Sequence, residues 1–323
     1  MKALTITHFG GPTSLEILDL PAPEAAAGQV VIAVDAAGLG YVDSLFSRGV
    51  VPLTLPWASG IEVAGRVITI GEGVTGFQTG DQVVALTIVG GGGLAEEVAV
   101  DARLVAPLPN GLDLITAASI PANTTAALLA LRSAGDVAGR RVLVTSAAGG
   151  LGSQLGALAR TLGATEVDGV VGSESKRSAA EALGYDHVWT TAQLGELREA
   201  GLYDVIADPV GGPVRADSLE LLATGGVLLA VGNAANGPEV HAGIAALWMQ
   251  SKTVSGLNLG ALAATHPHKV GQALADALAL LAAGRLKPPT IHQVTLDSAA
   301  TAIAAIESGS TVGKYVLVHP QTR

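Results

Sequence analysis

The stretch RRVLVTSAAGGLGSQLGALARTLG, from Arg140 to Gly163, decides the fold because it reads as a strand, a glycine turn and a helix in immediate succession. Residues 142–144 form a short apolar run that is typical of a parallel strand covered on both faces. The turn AAGGLG occupies residues 147–152. After it, apolar residues recur at helical spacing, namely Leu155, Leu158, Ala159 and Leu162. The three pieces predict a strand–turn–helix unit.

The glycine turn has the pattern A-x-G-x-x-G, with Ala147 where the dinucleotide-binding pattern usually has its first glycine. The free N–H groups and the dipole at the start of the following helix favour a pyrophosphate. A second predicted strand, residues 166–171, follows at the distance expected for a βαβ unit. We therefore predict a dinucleotide site here, against the alternative of an ordinary glycine-rich turn. Its expected contacts are Ala148, Gly149, Gly150, Leu151 and Gly152.

The composition fits an α/β protein of two domains. The chain has 323 residues, of which 49% are hydrophobic and 14% are charged. The sequence contains no apolar run long enough for a membrane span, and MKALTITHFGG at the start lacks the apolar core of a signal peptide. We therefore expect a cytoplasmic enzyme.

Charge and cysteine content exclude several classes of partner and chemistry. The formal net charge is −10, and the 18 Lys and Arg residues are scattered, which argues against nucleic-acid binding and favours small molecules. Cysteine is absent, which excludes disulfides, thiolate nucleophiles and cysteine-ligated metals.

Short strands and glycine-rich turns in the first hundred residues predict a mostly antiparallel domain. Strand and helix then alternate to about residue 256, with further buried strands at 204–207 and 227–232. The tail returns to β character, so the last segment should complete the first domain. We predict one domain from residues 1–118 and 257–323 and a second from residues 119–256.

Several stretches together resemble one family. They are AAGLGYVDSLFSRG (36–49), GIEVAGRVITIGEGVTGFQTGDQVVAL (60–86), AAGGLGSQLGALARTLGA (147–164), DPVGGP (208–213) and GKYVLV (313–318). In combination they resemble the medium-chain dehydrogenase/reductase superfamily and, within it, the quinone oxidoreductase branch that includes zeta-crystallin. The resemblance covers essentially the whole chain. It implies an α/β protein with a GroES-like, mostly-β substrate domain, a doubly wound Rossmann domain and a nicotinamide cofactor.

Zinc-dependent members of that superfamily have a Cys near Gly40 and a His–Glu pair near Ile61 and Glu62. Only the carboxylate remains in this sequence, and one carboxylate does not supply the three protein ligands of a catalytic zinc. The seven histidines are dispersed. We predict no metal site, and a loop carboxylate at Glu62 rather than a leftover ligand.

The residues of the predicted substrate pocket also differ from those of the quinone oxidoreductase branch. Members of that branch commonly have Asn at the position of Gly40. This chain has Tyr41 and Asp43 close by. Tyr41 is the candidate catalytic proton donor, and a packing role is the alternative. Asp43 and Arg48 are interpreted as a pair that stabilises a loop.

The resemblance also implies further cofactor contacts. Thr125 matches a threonine on the nicotinamide side, with Thr124 or helix N-capping as competing interpretations. Other expected contacts follow predicted strands or match the family's C-terminal Gly-Lys pair: Gly232, Asn233, Leu257, Asn258 and Lys314.

The end of the second strand of the predicted Rossmann domain favours NADPH. An NAD site usually has Asp or Glu there, but this strand ends in Val171 and Gly172, and Asp168 comes too early. Ser173, Lys176 and Arg177 follow, and the first two fall where the family holds the 2′-phosphate. The alternative is a solvated pair of charges at a helix start.

Without zinc to polarise an alcohol or a simple ketone, hydride should go to an electron-poor acceptor. The first hypothesis is an NADPH-dependent quinone reductase, and the second is reduction of an enone or enoyl thioester. A catalytically silent NADPH-binding protein is the alternative of a different class. By analogy we also expect a homodimer through an edge strand of the nucleotide-binding sheet.

Overall fold

The computed structural model of the protein describes residues 1–309 and 311–320. The chain folds into two compact units. The outer unit contains residues 1–125 and the described residues from 259 onward, and the central unit contains residues 126–258. The predicted domain limits after residues 118 and 256 lie a few residues earlier and stay predictions, because compactness alone does not fix where an independently folding domain ends.

The strands of the described residues are β1 Lys2–Ile6, β2 Leu15–Asp19, β3 Gln29–Leu39, β4 Trp57–Ala58, β5 Glu62–Ile70, β6 Gln82–Leu86, β7 Glu97–Asp101, β8 Val105–Pro107, β9 Arg141–Thr145, β10 Glu166–Val171, β11 Val188–Thr190, β12 Tyr203–Asp208, β13 Leu222–Ala230, β14 Thr253–Gly256, β15 Ile291–Val294 and β16 Lys314–Val318. The α-helices are α1 Tyr41–Ser47, α2 Leu114–Ala118, α3 Pro121–Ser133, α4 Gly150–Thr161, α5 Arg177–Ala182, α6 Leu194–Ala200, α7 Gly212–Glu220, α8 Ile244–Met249, α9 Leu259–Thr265, α10 Pro267–Ala282 and α11 Leu296–Glu307. None of these helices has the length and apolar character needed to cross a membrane.

The outer unit is built on mostly antiparallel sheets, as the sequence predicts, with β15 and β16 as a parallel pair. One sheet has the order β2-β1-β4, and the larger one has the order β15-β16-β3-β5-β6-β8, with β7 also paired to β3. Near the end of the chain, β16 pairs antiparallel with β3, so that Tyr315 lies opposite Leu39. The last described strand therefore completes a sheet begun by the first hundred residues.

The central unit contains a parallel sheet in the order β11-β10-β9-β12-β13-β14. Numbered within the sheet this is 3-2-1-4-5-6, the strand order of the doubly wound dinucleotide-binding fold. Val142, Leu143 and Val144 of β9 are fully buried, which explains the unbroken apolar run in the sequence. Strand order reverses between β9 and β12, and ligands of such sheets bind at the carboxyl ends of the strands at that point. The fold class predicted from the sequence is confirmed.

Candidate functional site

The turn between β9 and α4 is a tight backbone cradle. Ser146 has a left-handed backbone with φ of 54°, and its carbonyl oxygen accepts a hydrogen bond from the Gly149 N–H at 2.8 Å. A Cβ on Gly152 would collide with the same carbonyl oxygen, and a Cβ on Gly149 would lie 2.7 Å from Ser146 Oγ. Close approach of the backbone therefore requires both glycines.

The first turn of α4 follows this cradle directly, with Gly149 as the residue that precedes the helix. The first N–H groups of a helix have no partner inside the helix, and the helix dipole makes that end attractive to anions. Tyr185 holds the turn from outside the motif, because its hydroxyl donates to the Gly152 carbonyl oxygen at 2.7 Å. The predicted contacts at 148–152 thus lie together around one helix start.

Asp208 organises the neighbouring strand end, and the sequence analysis missed it. Its side chain is fully buried at the end of β12. It accepts hydrogen bonds from Thr145 Oγ1 at 2.6 Å, from Arg215 Nε at 2.7 Å and from the Val210 N–H at 2.9 Å. The sequence signal that could have indicated Asp208 is an acid at the end of an apolar strand, followed seven residues later by Arg215. These bonds fix the carboxyl ends of β9 and β12 relative to each other.

The segment after β10 presents hydroxyl groups and an ammonium group. The Ser173 and Ser175 hydroxyl oxygens are exposed and lie 2.9 Å apart. Lys176 is partly exposed, and no ion pair involving it occurs among residues 1–309 and 311–320. Asp168 lies within β10 and accepts a hydrogen bond from the Tyr203 hydroxyl at 2.6 Å. The Asp168 carboxylate is therefore used in the interior and not at the carboxyl edge.

Arg177 is bonded to three neighbouring residues. Its Nε lies 2.6 Å from Glu174 Oε1 and one terminal nitrogen lies 2.9 Å from Gln193 Oε1. The other terminal nitrogen bonds to the Val188 carbonyl oxygen. This guanidinium is thus held by its own neighbours, and its contact with a cofactor stays a prediction. The same contacts neutralise the Glu174 carboxylate.

The other predicted contacts of the central unit lie at the same edge of the sheet. Gly232 and Asn233 follow β13, and a Cβ on Gly211 would overlap the Asn233 side chain. Leu257 follows β14 and donates its N–H to the Ala230 carbonyl oxygen at 3.0 Å, and Asn258 comes directly after it. Their contact with a cofactor stays a prediction.

Thr125 carries an unsatisfied hydroxyl. It lies inside α3, which begins at Pro121, so N-capping explains neither Thr125 nor Thr124. Both side chains are fully buried. Among the described residues Thr125 Oγ1 has no hydrogen-bond partner. A buried hydroxyl without a partner costs free energy, which a bound polar group would recover.

The outer unit contains a buried ion pair between Glu62 and Lys314. Glu62 is fully buried at the start of β5, and Lys314, at the start of β16, is 4% exposed. Lys314 Nζ bonds to Glu62 Oε1, and Glu62 Oε2 accepts the Ala122 N–H at 2.7 Å. The ammonium group of Lys314 is therefore in the interior and already paired, and contact between Lys314 and a cofactor stays a prediction. Glu62 is likewise an ion-paired core residue.

Asp43 is also buried, and the interpretation of a pair with Arg48 is wrong. Arg48 Nε instead lies 2.5 Å from Glu307 Oε1. Asp43 lies in the first turn of α1, and its Oδ2 accepts the Gly40 N–H at 2.8 Å. Tyr41, the predicted proton donor, is the first residue of α1 and is partly exposed. Asp43 therefore fixes the start of the helix that carries Tyr41.

A group with metal-ligating side chains occurs within the described residues at Glu166, Asp168 and His187, whose ligand atoms lie within 4.8 Å of one another. The two carboxylates are already used. Glu166 forms a two-point ion pair with Arg141, and Asp168 accepts bonds from the Tyr203 hydroxyl and the His187 N–H. Hydrogen bonds and an ion pair between β9, β10 and β12 therefore explain why these side chains lie together.

Comparisons with known proteins agree with this fold. A family model described as an alcohol dehydrogenase GroES-like domain matches residues 26–110, and one described as a zinc-binding dehydrogenase matches residues 162–317. A quinone oxidoreductase of Pseudomonas syringae pv. tomato DC3000 is 28% identical, with a TM-score of 0.88 over 98% of this chain and 99% of that one. A mycobacterial protein complexed with NADPH is 28% identical, with a TM-score of 0.88 over 99% and 100% of the two chains.

The curated relatives are longer. A mycocerosic acid synthase-like polyketide synthase of Mycolicibacterium smegmatis is 30% identical over 99% of this chain, and this chain spans 15% of that protein's length. The fold, the family models and the solved structures together place the chain in one class. It belongs to the medium-chain dehydrogenase/reductase superfamily, in its quinone oxidoreductase branch.

The residues present do not fit the catalytic zinc that the second family model's description implies. Gly40 and Ile61 offer no ligand atom, and the Glu62 carboxylate is bonded to Lys314 and to the Ala122 N–H. A catalytic zinc requires three protein ligands. These residues therefore do not supply the ligands of a catalytic zinc.

The purified protein is accordingly expected to contain no stoichiometric zinc and to keep its full reaction rate after prolonged treatment with EDTA. The measurements are elemental analysis of the purified chain and the rate before and after chelation. One tightly bound zinc per chain, with loss of rate on its removal, would contradict this expectation.

Proposed function

We propose that this chain is an NADPH-dependent oxidoreductase that transfers hydride to an electron-poor acceptor, with a quinone as the first candidate. The observation that carries the proposal is the segment after β10, where Ser173, Ser175 and Lys176 are partly or fully exposed and Glu174 is neutralised by Arg177. Hydroxyl groups and an ammonium suit a phosphate, whereas an NAD site places a carboxylate there. The NADPH complex of the mycobacterial relative supports the same choice.

The central unit fits the rest of such a cofactor. The cradle at Gly149 and Gly152 leaves no side chain between the backbone and a pyrophosphate. The bonds of Asp208 to Thr145 and Arg215 keep the neighbouring strand ends rigid, so that Gly232 and Asn233 keep their position. Thr125, the last residue of the first segment of the outer unit, has an unsatisfied hydroxyl and stays a proposed cofactor contact.

NADPH supplies the hydride when it is bound. The residues of this chain bind and orient it, and Tyr41 or solvent supplies the proton that the reduced acceptor needs. Because the residues present do not fit a metal ion that would polarise a carbonyl, the acceptor must itself accept hydride readily. Quinones and C=C bonds conjugated to a carbonyl meet this requirement.

A second candidate acceptor is an enone or an enoyl thioester. The observation that favours it is the match of almost the whole chain to one part of polyketide synthases, at 30% identity for the Mycolicibacterium smegmatis protein. The third candidate, of another class, is a protein that binds NADPH without turnover.

Product analysis separates these candidates. The purified chain is incubated with NADPH and, in turn, with ortho- and para-quinones, linear enones and enoyl thioesters, and the products are identified by mass spectrometry. Hydroquinone formation supports the first candidate. Reduction confined to enones or thioesters supports the second, and tight NADPH binding without any product supports the third.

We also propose that the chain forms a homodimer and acts in the cytoplasm. The supporting surface for the dimer is α8 with β14. Ile244, Trp248 and Met249 are 79%, 78% and 77% exposed, and within the described part of the chain β14 pairs only with β13, so its outer edge is open. An exposed apolar patch beside an open strand edge is a common interface between copies of a chain.

Sedimentation at micromolar concentration is therefore expected to give a dimer for the wild type and a monomer for Trp248→Asp, because a charge in the apolar interface is costly. Leu183→Asp, at another exposed leucine of the central unit, is the matched control and should stay dimeric. A monomeric wild type would refute the proposal.

A further inference from the structure

Tyr185 fills a space between α4 and β10 that two glycines leave open. It lies between α5 and β11, and its side chain is buried. A Cβ on Gly156 of α4 would lie 2.5 Å from the ring carbon Cζ and from the hydroxyl oxygen of Tyr185, and a Cβ on Gly169 of β10 would lie 3.1 Å from the ring. Glycine inside a helix is destabilising relative to alanine, and the tyrosine ring explains its presence at position 156.

The hydroxyl of Tyr185 reaches the first turn of α4. It donates a buried hydrogen bond to the Gly152 carbonyl oxygen at 2.7 Å. Burial raises the pKa of the Tyr185 hydroxyl, with the Gly156 backbone opposing this rise, so the hydroxyl keeps its proton and stays a donor. Gly152 also packs directly on the Ser146 carbonyl oxygen, with no room for a Cβ. The first turn is therefore held from both sides at Gly152.

The residues beside Tyr185 bond to the other end of the same helix. A terminal nitrogen of Arg160, in the last turn of α4, donates to the Gly184 carbonyl oxygen at 2.8 Å and to Asp186 Oδ2 at 2.9 Å. Asp186 Oδ2 also accepts the Val167 N–H of β10 at 2.8 Å. The Arg160 and Asp186 side chains are 43% and 38% exposed, and such pairs contribute little. The buried bond of Tyr185 is thus the firmer of the two constraints.

The direction of the first turn of α4 matters for an anion. The N–H groups that start a helix bind a phosphate only when they point at it, and they have no partner inside the helix to hold them. Binding groups keep their geometry when packing and hydrogen bonds behind them fix the backbone. Tyr185 provides such a bond from the side of the helix that faces β10.

We propose that Tyr185 is a positioning residue of the cofactor site, and that the bond from its hydroxyl to Gly152 holds the first turn of α4 in the orientation that binds a pyrophosphate. Tyr185 acts through Gly152 and not by contact with the cofactor. The proposal rests on the cofactor part of the proposed function and is independent of which acceptor is reduced.

The test is Tyr185→Phe, which removes the hydroxyl and keeps the ring. The dissociation constants of NADPH and NADH, measured by calorimetry, should both rise by about 2- to 10-fold, the range that loss of one ordinary hydrogen bond spans. Their ratio should stay that of the wild type, because both cofactors carry the pyrophosphate. Lys176→Glu, in contrast, should change the ratio.

Tyr203→Phe is the matched control. Tyr203 belongs to the same unit, is fully buried and donates its hydroxyl to Asp168 at 2.6 Å. Its substitution removes one buried hydrogen bond that does not involve the glycine turn. It should lower the melting temperature and leave both dissociation constants unchanged. Equal weakening of cofactor binding by Tyr203→Phe and Tyr185→Phe would overturn the proposal.

Gly156→Ala attacks the same bond from the helix side. The added methyl group displaces the Tyr185 hydroxyl, while alanine itself favours the helix, so the variant should weaken binding of both cofactors without unfolding α4. Gly156→Ala and Tyr185→Phe together should weaken binding by less than the product of their separate effects, since both remove one bond.

Unchanged dissociation constants in Tyr185→Phe, whatever the melting temperature, would show that the tyrosine only packs and would overturn the proposal. Weaker binding of NADPH alone would contradict it too. A wild type that binds neither cofactor overturns both this proposal and the proposed function. A wild type that binds them but reduces no acceptor, with weaker binding in Tyr185→Phe, supports the positioning role, and only the proposed reaction fails.

Discussion

Replacing Lys176 with glutamate is expected to raise KM for NADPH by about 10- to 100-fold, because loss of one hydrogen bond to a charged group costs about 1.5 to 3 kcal/mol. The new carboxylate adds repulsion of a 2′-phosphate. Lys176 follows the exposed Ser173–Ser175 hydroxyl pair, whereas Arg177 beside it is held by Glu174. KM for NADH should change little, since NADH has no phosphate at that position. Steady-state kinetics with both cofactors measure the difference.

Lys269→Glu is the matched control for that substitution. Lys269 is exposed on α10 in the outer unit, and the change in net charge is the same. If the Lys269 and Lys176 variants raise KM for NADPH equally, the effect is one of overall charge. Equal effects of Lys176→Glu on NADPH and NADH would likewise contradict a phosphate site at this segment.

Replacing Lys314 with methionine is expected to lower the free energy of unfolding by about 3 to 5 kcal/mol, the usual cost of leaving a buried charge without its partner. Glu62 would keep its bond from the Ala122 N–H but lose its counter-charge. Denaturant unfolding of both proteins measures the loss. The double variant Glu62→Gln with Lys314→Met removes both charges and should recover part of the stability.

The exposed pair of Arg198 and Glu220 provides the comparison. Their side chains are 64% and 68% exposed and the closest atoms lie 3.3 Å apart. Arg198→Met should therefore cost at most about 1 kcal/mol. Similar losses in the Lys314 and Arg198 variants would show that the buried pair does not stabilise the outer unit.

Much of the fold was predictable because local patterns dictate it. The apolar run of β9, the glycine turn and the periodicity of α4 are all contiguous in the sequence, and β10 begins and ends where predicted. The β character of the tail led to the prediction that the last segment joins the first domain, and β16 pairs with β3 in that domain. Burial on both faces of a parallel sheet produces the unbroken apolar runs from which the strands are read.

The candidate site was predictable only where its residues are close together in the sequence. Glu62 and Lys314 are 252 positions apart, and no local pattern indicates that they pair. Nothing in the sequence around Lys314 distinguishes it from an exposed lysine, and only the structure shows that its ammonium group is buried. The bonds of Arg177 to Glu174, Gln193 and Val188 were not predictable, because they depend on the tertiary structure. Asp208 was missed because its partners come from two other segments.

The most direct test of the proposed reaction is the oxidation of NADPH, followed by its absorbance, by the EDTA-treated chain after addition of a para-quinone. We expect turnover that depends on the quinone, with kcat/KM for NADPH at least about tenfold above that for NADH, the equivalent of 1.4 kcal/mol. Turnover with NADH as good as with NADPH would contradict the cofactor assignment. NADPH that binds tightly but is not oxidised by any quinone, enone or enoyl thioester would contradict the proposed reaction altogether.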